Sequence, residues 1–293
     1  MRTEQEILDM VLEIAKKDER IRAVYLFGSR ANSNAKKDGL QDYDISFVVT
    51  ETDSFQTDKN WINAFGDIAL LVEGERNALL FFGSKDMSVL SRRCVFNILF
   101  QDNNSLDLVV ETRDEAIKNF PQYTPNIIML DKDNILSDIN SNSHTDDKYD
   151  SLKPTKDMYK ACCSNFWWFL TYPAKSIARD NIPFAIVSFN TFTRTLLNRM
   201  IEWYIGVQNN FSVSIGKREK NYDKLLPNDI YELYSKTYTE KNYWDVIFVT
   251  CELFNKLALA VDAHFGFTYN KQEESSMIEY ILKIKNDYSN NKI

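Results

Sequence analysis

The chain has 293 residues and a hydrophobic fraction of 44%, which is long for one domain and suits two domains that each bury a core. Its 35 Lys and Arg against 42 Asp and Glu leave a net charge of −7, which disfavours a nucleic-acid partner and favours a cationic ligand. Its 4 cysteines form no CxxC pair and no apolar run reaches the roughly 20 residues of a membrane span, so we expect buried reduced thiols, no zinc site, no membrane contact and a cytoplasmic location.

The first half of the chain mixes helix and strand patterns. Thr3 and Glu6 have the spacing of a capping box, and apolar residues then recur at helical spacing as far as Lys17. Runs of β-branched and aromatic residues, or polar and apolar alternation, indicate the strands. The predicted elements are a helix at 3–17, strands at 21–27, 42–49, 68–72, 94–100 and 106–110, a helix near residue 61, and a helix that the Thr112 and Glu115 capping pattern begins.

The second half of the chain carries only helical patterns. The segment 136–154 is rich in Ser, Asn, Asp and Lys, which is typical of a linker. Pro173 should bend or split the first helix that follows this linker, because proline removes one backbone hydrogen bond. The helical patterns cover 156–178, 184–207, 228–238, 243–264 and 273–288. We therefore predict an α+β protein, with a mixed β-sheet and flanking helices at 1–150 and an all-helical bundle at 151–293.

Three acids on two predicted strands form the chemical signal of the sequence. Asp42 and Asp44 are two residues apart on one strand, so their side chains emerge from the same face, and a neighbouring strand can bring Asp107 beside them. Three converging carboxylates repel one another unless hard cations lie among them, and Mg²⁺ takes carboxylate together with phosphate oxygens. The acids therefore predict a site for a magnesium-bound triphosphate.

A Gly-Ser turn precedes the acids at the end of a strand. Gly28 lets the backbone approach a phosphate, Ser29 can donate from its hydroxyl and amide, and Arg30 can add positive charge. The acceptor hydroxyl needs a base, for which Asp107 is the candidate, and Asp107 is equally a candidate metal ligand. These residues favour transfer of a nucleotidyl group, with in-line attack on the α-phosphorus and loss of pyrophosphate.

Each of these elements also has an ordinary structural explanation. A Gly-Ser turn is common after a strand, and a lone Asp-x-Asp is usually a solvated strand face; only their joint occurrence with a third acid carries the functional prediction. Asp-x-Asp also holds sugar nucleotides in some glycosyltransferases, but about 40 residues precede it here, which is short for their nucleotide-binding unit. The alternative function is a non-catalytic or toxin-antitoxin-type nucleotide-binding module on the same fold.

The stretch from Gly28-Ser29-Arg30 to Gln41-Asp42-Tyr43-Asp44-Ile45 resembles the polymerase-β-like nucleotidyltransferases, and specifically the aminoglycoside 6-adenylyltransferases. The similarity extends along nearly the whole chain, with departures at 72–90 and 267–279 and at Asn181. It implies a nucleotidyltransferase domain at 1–150, a helical substrate-binding domain at 151–293, ATP and Mg²⁺ as co-substrates, and the streptomycin 6-hydroxyl as acceptor. It also implies metal ligation at Asp42 and Asp44, with Asp107 as a ligand or general base.

The helical half adds three candidates for contact with substrates. Lys217 lies in a short basic segment that can reach a triphosphate, although a solvated loop explains it equally well. Trp167 and Trp168 point about 100° apart on a helix, so one of them, for which we take Trp168, can line an acceptor pocket, while burial against other helices is the ordinary explanation. Asp180 can pair with a guanidinium of streptomycin, while a helix-terminal surface acid is its ordinary explanation. We expect a monomer, with a dimer as the alternative.

Overall fold

The computed structural model describes residues 1–33, 37–123, 125–139, 153–213, 215 and 219–289. By its internal contacts the chain divides into two compact units, Met1–Asp146 and Asp147–Ile293. The first unit contains all the described strands, and the described secondary-structure elements of the second unit are helices. This is the α+β architecture that the sequence predicts, so the fold class is confirmed.

The first unit is built on one six-stranded mixed sheet. The strands are β1 Ile21–Phe27, β2 Tyr43–Val49, β3 Ile68–Glu73, β4 Arg93–Phe100, β5 Ser105–Thr112 and β6 Asn126–Asp131. Their order is β3-β4-β5-β2-β1-β6, in which β2 and β5 are parallel and every other neighbouring pair is antiparallel. The parallel pair lies at the centre, so the strands that carry Asp44 and Asp107 are neighbours in space.

The two faces of this sheet are covered differently. Helix α1, Glu4–Lys17, buries Ile7, Val11 and Ala15 in the larger core, and the predicted Thr3–Glu6 capping box is formed. A smaller core on the other face is built from short helical segments around Ala116 and Phe120. Because the smaller core covers only part of its face, polar side chains of the central strands remain accessible there.

Several local predictions in the first unit need correction. The helix near residue 61 is a 3₁₀ helix, Asn60–Phe65. Thr112 precedes helix α4, Arg113–Asn119, but its side chain makes no cap hydrogen bond, because Thr112 still belongs to the sheet as the partner of Val49. Strand β6 was not predicted from the sequence. Helices α2, Asp53–Thr57, and α3, Gly74–Phe81, were not predicted either.

The second unit contains eight α-helices in its described part. The predicted first helix is split at Leu170, and Pro173 lies in the first turn of the second piece, as the proline predicts. A π-helical segment, Phe189–Thr193, interrupts the predicted second helix. The helices are α5 Lys156–Phe169, α6 Thr171–Ala178, α7 Ile182–Ser188, α8 Arg194–Gln208, α9 Tyr222–Leu225, α10 Asn228–Thr239, α11 Tyr243–Phe265 and α12 Lys271–Ser289.

Aromatic packing dominates the core of the second unit. Phe166 and Phe254 stack with their ring centroids 3.6 Å apart, and Trp167 meets the same Phe254 ring edge-on. All four cysteines are free and buried, which confirms the sequence prediction, and burial raises the pKa of the Cys94 thiol to about 12. Among the described helices, none combines the length and apolarity that a membrane span requires.

Candidate active site

A single row of side chains crosses the sheet at the predicted acids. In the parallel pair, Asp44 of β2 lies opposite Asp107 of β5. On one side Asp107 is the register partner of Asn97 in β4, and on the other side Asp44 is the partner of Phe27 in β1. Register partners project from the same face of a sheet, so these four side chains form a continuous row. The structure therefore brings two of the three predicted acids together.

Gly28 is in direct contact with one of these acids. It has a φ of +71°, in the left-handed region that favours glycine, and it follows the last residue of β1. A Cβ atom at this position would lie 2.2 Å from the Asp44 Oδ2 atom. The absence of a side chain at residue 28 thus makes room for the Asp44 carboxylate, and the half-buried Ser29 is the next residue of the same turn.

Asp107 has a polar neighbour that was not among the predicted site residues. The Asn97 side-chain amide donates a hydrogen bond of 2.6 Å to the Asp107 Oδ1 atom. Asn97 is at an outward position of a strand whose alternate residues are buried, so the two-residue period was the signal that could have identified it. Both side chains are half-buried, which leaves them within reach of a ligand.

Asp42 lies at the edge of the row, one residue before β2. Its carboxylate accepts a hydrogen bond from the Ser105 hydroxyl, at the start of β5. In the part of the chain that the structure describes, no three His, Cys, Asp or Glu side chains come together as a metal-binding group. Asp42, Asp44 and Asp107 thus share one edge of the parallel pair without forming a closed cluster of three acids.

Arg30 is buried and contacts protein groups. Its guanidinium donates to the backbone carbonyl oxygens of Gln41, at 2.6 Å, and Asp42, at 3.2 Å, and it forms an ion pair of 3.2 Å with Glu4. It also lies 3.8 Å above the ring of Tyr43. Arg30 therefore supports the backbone that presents Asp42, while its predicted contact with phosphate stays a prediction.

A second acid on the same face of β5, Glu111, was also missed by the sequence analysis. It lies four residues after Asp107 and is fully buried. Its Oε1 atom accepts hydrogen bonds from Tyr25, at 2.6 Å, and Ser46, at 2.7 Å, and its Oε2 atom accepts one from Asn119, at 2.8 Å. Burial, and then the charge of Glu111, raise the pKa of the Tyr25 hydroxyl. This network joins β1, β2 and β5 to α4, on the same face of the sheet as the row.

The candidates in the second unit are dispersed in the sequence and differ in their surroundings. Trp168 is 61% exposed whereas Trp167 is buried, so Trp168 presents far more surface to a ligand. With residues of α6 and α12, it lines a cavity of about 670 Å³ within this unit. Asp180 is exposed and has a φ of +58° between α6 and α7. Lys217 lies outside the described residues, so its predicted contact with phosphate stays a prediction.

Sequence comparison places the chain among known proteins. The sequence profile of the streptomycin adenylyltransferase family matches residues 1–284. The aminoglycoside 6-adenylyltransferase of Campylobacter jejuni is 34% identical over 291 residues, covering 98% of both chains. That of Bacillus subtilis (strain 168) is 35% identical over 278 residues, covering 94% of this chain and 95% of the relative. That of Staphylococcus aureus is 31% identical over 294 residues, covering 99% and 100%.

A comparison with solved structures also finds an aminoglycoside 6-adenyltransferase. The crystal structure of an aminoglycoside 6-adenyltransferase from Bacillus subtilis is 33% identical to this chain and covers 97% of it, with a TM-score of 0.45. The match includes 99% of the length of that protein.

Proposed function

This chain belongs to the streptomycin adenylyltransferase family, and we propose that it transfers AMP from ATP to the 6-hydroxyl of streptomycin. The family is one of enzymes, and the three curated relatives are named for aminoglycoside adenylylation at position 6. The observation in this chain that best supports the proposed reaction is the pairing of Asp44 with Asp107 on adjacent parallel strands, beside the Gly28 turn. ATP as the donor and streptomycin as the acceptor are the finer parts of the proposal.

The ligand chemistry at the row suits a divalent metal. Asp44 and Asp107 offer hard carboxylate oxygens from neighbouring strands, which lie about 4.8 Å apart, and Asp42 is two residues from Asp44. We assign Mg²⁺ to Asp42, Asp44 and Asp107. When bound, the metal neutralises negative charge on the phosphate oxygens of the nucleotide. An Asp42 ligand has to exchange its Ser105 hydrogen bond for the metal, which costs little at an exposed carboxylate.

The chain's own residues perform the remaining steps. Ser29 donates to phosphate oxygens of ATP from the turn after β1, and Arg30 holds the backbone of Asp42 in place. Asp107 takes the proton of the acceptor hydroxyl at Oδ2, since Asn97 occupies Oδ1. The acceptor oxygen forms a bond to the α-phosphorus, the bond from that phosphorus to the bridging oxygen breaks, and pyrophosphate leaves with the electron pair.

An acidic protein suits the cationic acceptor. The net charge of −7 attracts a drug that carries guanidinium groups and repels polymeric nucleic acid. We propose residues 1–150 as the nucleotidyltransferase domain and residues 151–293 as the substrate-binding domain, with Trp168 and Asp180 as drug contacts and Lys217 as a phosphate contact. The attached AMP adds a bulky anion to the drug, which is the basis of a role in antibiotic resistance. We propose that the protein acts as a monomer.

The proposal is tested by pyrophosphate release from purified protein with ATP and Mg²⁺, with and without streptomycin. We expect streptomycin-dependent release that falls by more than about 100-fold in Asp44→Asn, because this change removes one negative charge without changing the size of the side chain. Asp67→Asn changes an exposed acid before β3 in the same way and is the matched control. Release with another aminoglycoside alone would overturn the acceptor, and silence with every acceptor would overturn the reaction.

A further inference from the structure

We propose that Asn97 is a positioning residue that holds the Asp107 carboxylate in its reactive orientation, and that Gly74 is glycine because it leaves room for the Asn97 amide. The proposal rests on the function proposed above, in which Asp107 is a metal ligand or the base. It adds two residues, from β4 and from the first turn of α3, to which neither the sequence patterns nor the family comparison gives a role.

The first observation is the position of Asn97 in the row. Asp107 lies between Asn97 and Asp44, because it is the register partner of both. The Asn97 Nδ2 atom donates to Asp107 Oδ1 at 2.6 Å, which is short for an amide donor. A carboxylate can rotate about its last side-chain bond unless an oxygen is held. The bond holds Oδ1 on the side of β4 and leaves Oδ2 for the reaction.

The second observation is the chemical type of the donor. An amide is neutral, so it supports the carboxylate without pairing with its charge, whereas lysine or arginine at this position would compete with a metal for the same anion. Partners of this kind orient metal ligands and set their basicity, and their loss typically costs about 10-fold to 100-fold in metal affinity or activity. Asn97 is therefore suited to a carboxylate that must remain charged and available.

The third observation concerns the residue behind the amide. A Cβ atom at Gly74 would lie 2.2 Å from the Asn97 Oδ1 atom and 3.4 Å from its Cγ atom. The backbone of Gly74 is not in the left-handed region, so its conformation alone would allow any residue. Glycine is also a poor helix former, and Gly74 begins α3. The space taken by the Asn97 amide gives a physical reason for glycine where local structure gives none.

A double-mutant cycle of Asn97→Ala and Gly74→Ala tests the proposal. Alanine at position 97 removes the atom that a Cβ at position 74 would strike, so the two changes should act through one contact. We expect Asn97→Ala to lower kcat about 30-fold and Gly74→Ala about 10-fold, with the KM for streptomycin unchanged. In the Asn97→Ala background, Gly74→Ala should have no further effect on kcat.

Two measurements separate positioning from folding. Mn²⁺ binding in the presence of ATP, followed by electron paramagnetic resonance without any turnover, should weaken about 10-fold in both single variants. The unfolding temperature of Gly74→Ala should stay close to that of the wild type, because the higher helix propensity of alanine offsets the displacement of the Asn97 side chain. Asn97→Asp keeps the volume of the side chain and replaces the donor with a second anion, so it should lose more activity than Asn97→Ala.

Additive losses of kcat in the double variant, or an Asn97→Ala enzyme within twofold of wild type in both kcat and Mn²⁺ affinity, would overturn the positioning role and leave the proposed function intact. A wild-type protein with neither Mn²⁺ binding nor acceptor-dependent pyrophosphate release would overturn the proposed function, and this inference with it. Loss of kcat that always follows a loss of folded protein would also count against positioning.

Discussion

Two carboxylates on one strand have opposite surroundings. Asp107 and Glu111 lie four residues apart on the same face of β5. Glu111 is fully buried and accepts hydrogen bonds from Tyr25, Ser46 and Asn119. Asp107 is half-buried, has Asn97 as its hydrogen-bond donor, and lies beside Asp44 in the row. Strand, face and charge are the same, so the difference comes from what packs on each position.

The difference supports a division between a structural acid, Glu111, and the acid proposed to react, Asp107. A buried carboxylate is tolerated when its oxygens are satisfied, and then removing it leaves buried donors without partners. Glu111 meets this condition and joins strands to α4. Asp107 lies beyond the smaller core, where solvent or a ligand can supply its remaining partners. We therefore assign chemistry to Asp107 and stability to Glu111.

The largest effect on activity is expected when Asp107 is changed. Asp107→Asn should lower kcat about 1000-fold, because the amide neither accepts the proton nor neutralises a metal. Its free energy of unfolding should stay within about 0.5 kcal/mol of wild type, as for other accessible positions. Pyrophosphate release and urea unfolding measure the two quantities on the same preparations.

Glu111→Gln is the matched change at the buried acid, and we expect the reverse pattern. Loss of the charged acceptor beneath three donors should lower the free energy of unfolding by about 3 kcal/mol. The kcat of the folded fraction should stay within a few-fold of wild type. If Glu111→Gln lost as much activity as Asp107→Asn while remaining equally stable, the division of roles between the two acids would be wrong.

A smaller effect is expected at the turn that contacts Asp44. Gly28→Ala places a Cβ 2.2 Å from the Asp44 Oδ2 atom, so the carboxylate must move, and a displacement of about 1 Å can cost about 100-fold in rate. Gly83→Ala is the control, because Gly83 has a similar φ of +69° but no atom within 4 Å of the added Cβ. Both variants share the backbone strain, so only Gly28→Ala should lose kcat. Equal kcat values for the two variants would contradict a role for Gly28 in the active site.

The smallest effect concerns a third acid, Asp102, in the turn between β4 and β5. The Arg2 side chain and backbone amide donate to its carboxylate and hold its pKa well below its ordinary value near 3.9. A depressed pKa in the folded state adds stability above the unfolded pKa, and this stability is lost as the pH falls through the folded pKa. Asp102→Asn should therefore lower the free energy of unfolding by about 1 kcal/mol at pH 7, a small amount because solvent screens the pair.

The pH dependence provides the check on this variant. Urea unfolding between pH 7 and pH 2.5 should show the difference between wild type and Asp102→Asn shrinking below about pH 4. A difference that stays constant across this range would mean that neutral hydrogen bonds, and not the charge of Asp102, hold the amino terminus.

Local patterns identified the elements that carry strong local signals. The capped helix α1 and the strand β1 have the predicted bounds, because caps, turn residues and apolar periodicity act within a few residues. The missed strand β6 pairs with β1 at an edge of the sheet, and its continuous apolar run, Ile127 to Leu130, lacks the alternation that marks a half-buried strand. The missed helix α3 begins with glycine and buries no side chain.

The sequence by itself determined the α+β class, the turn at Gly28, and the spacing that puts Asp42 two residues before Asp44 at the start of β2. Tertiary structure alone decided that β2 and β5 are parallel neighbours, which makes Asp107 the partner of Asp44. Tertiary structure also decided that Asn97 donates to Asp107, that Arg30 faces protein carbonyls, and that Glu111 is sealed beneath α4. Strand pairing joins residues far apart in the chain, and no local pattern of charge or polarity specifies which strands will be neighbours.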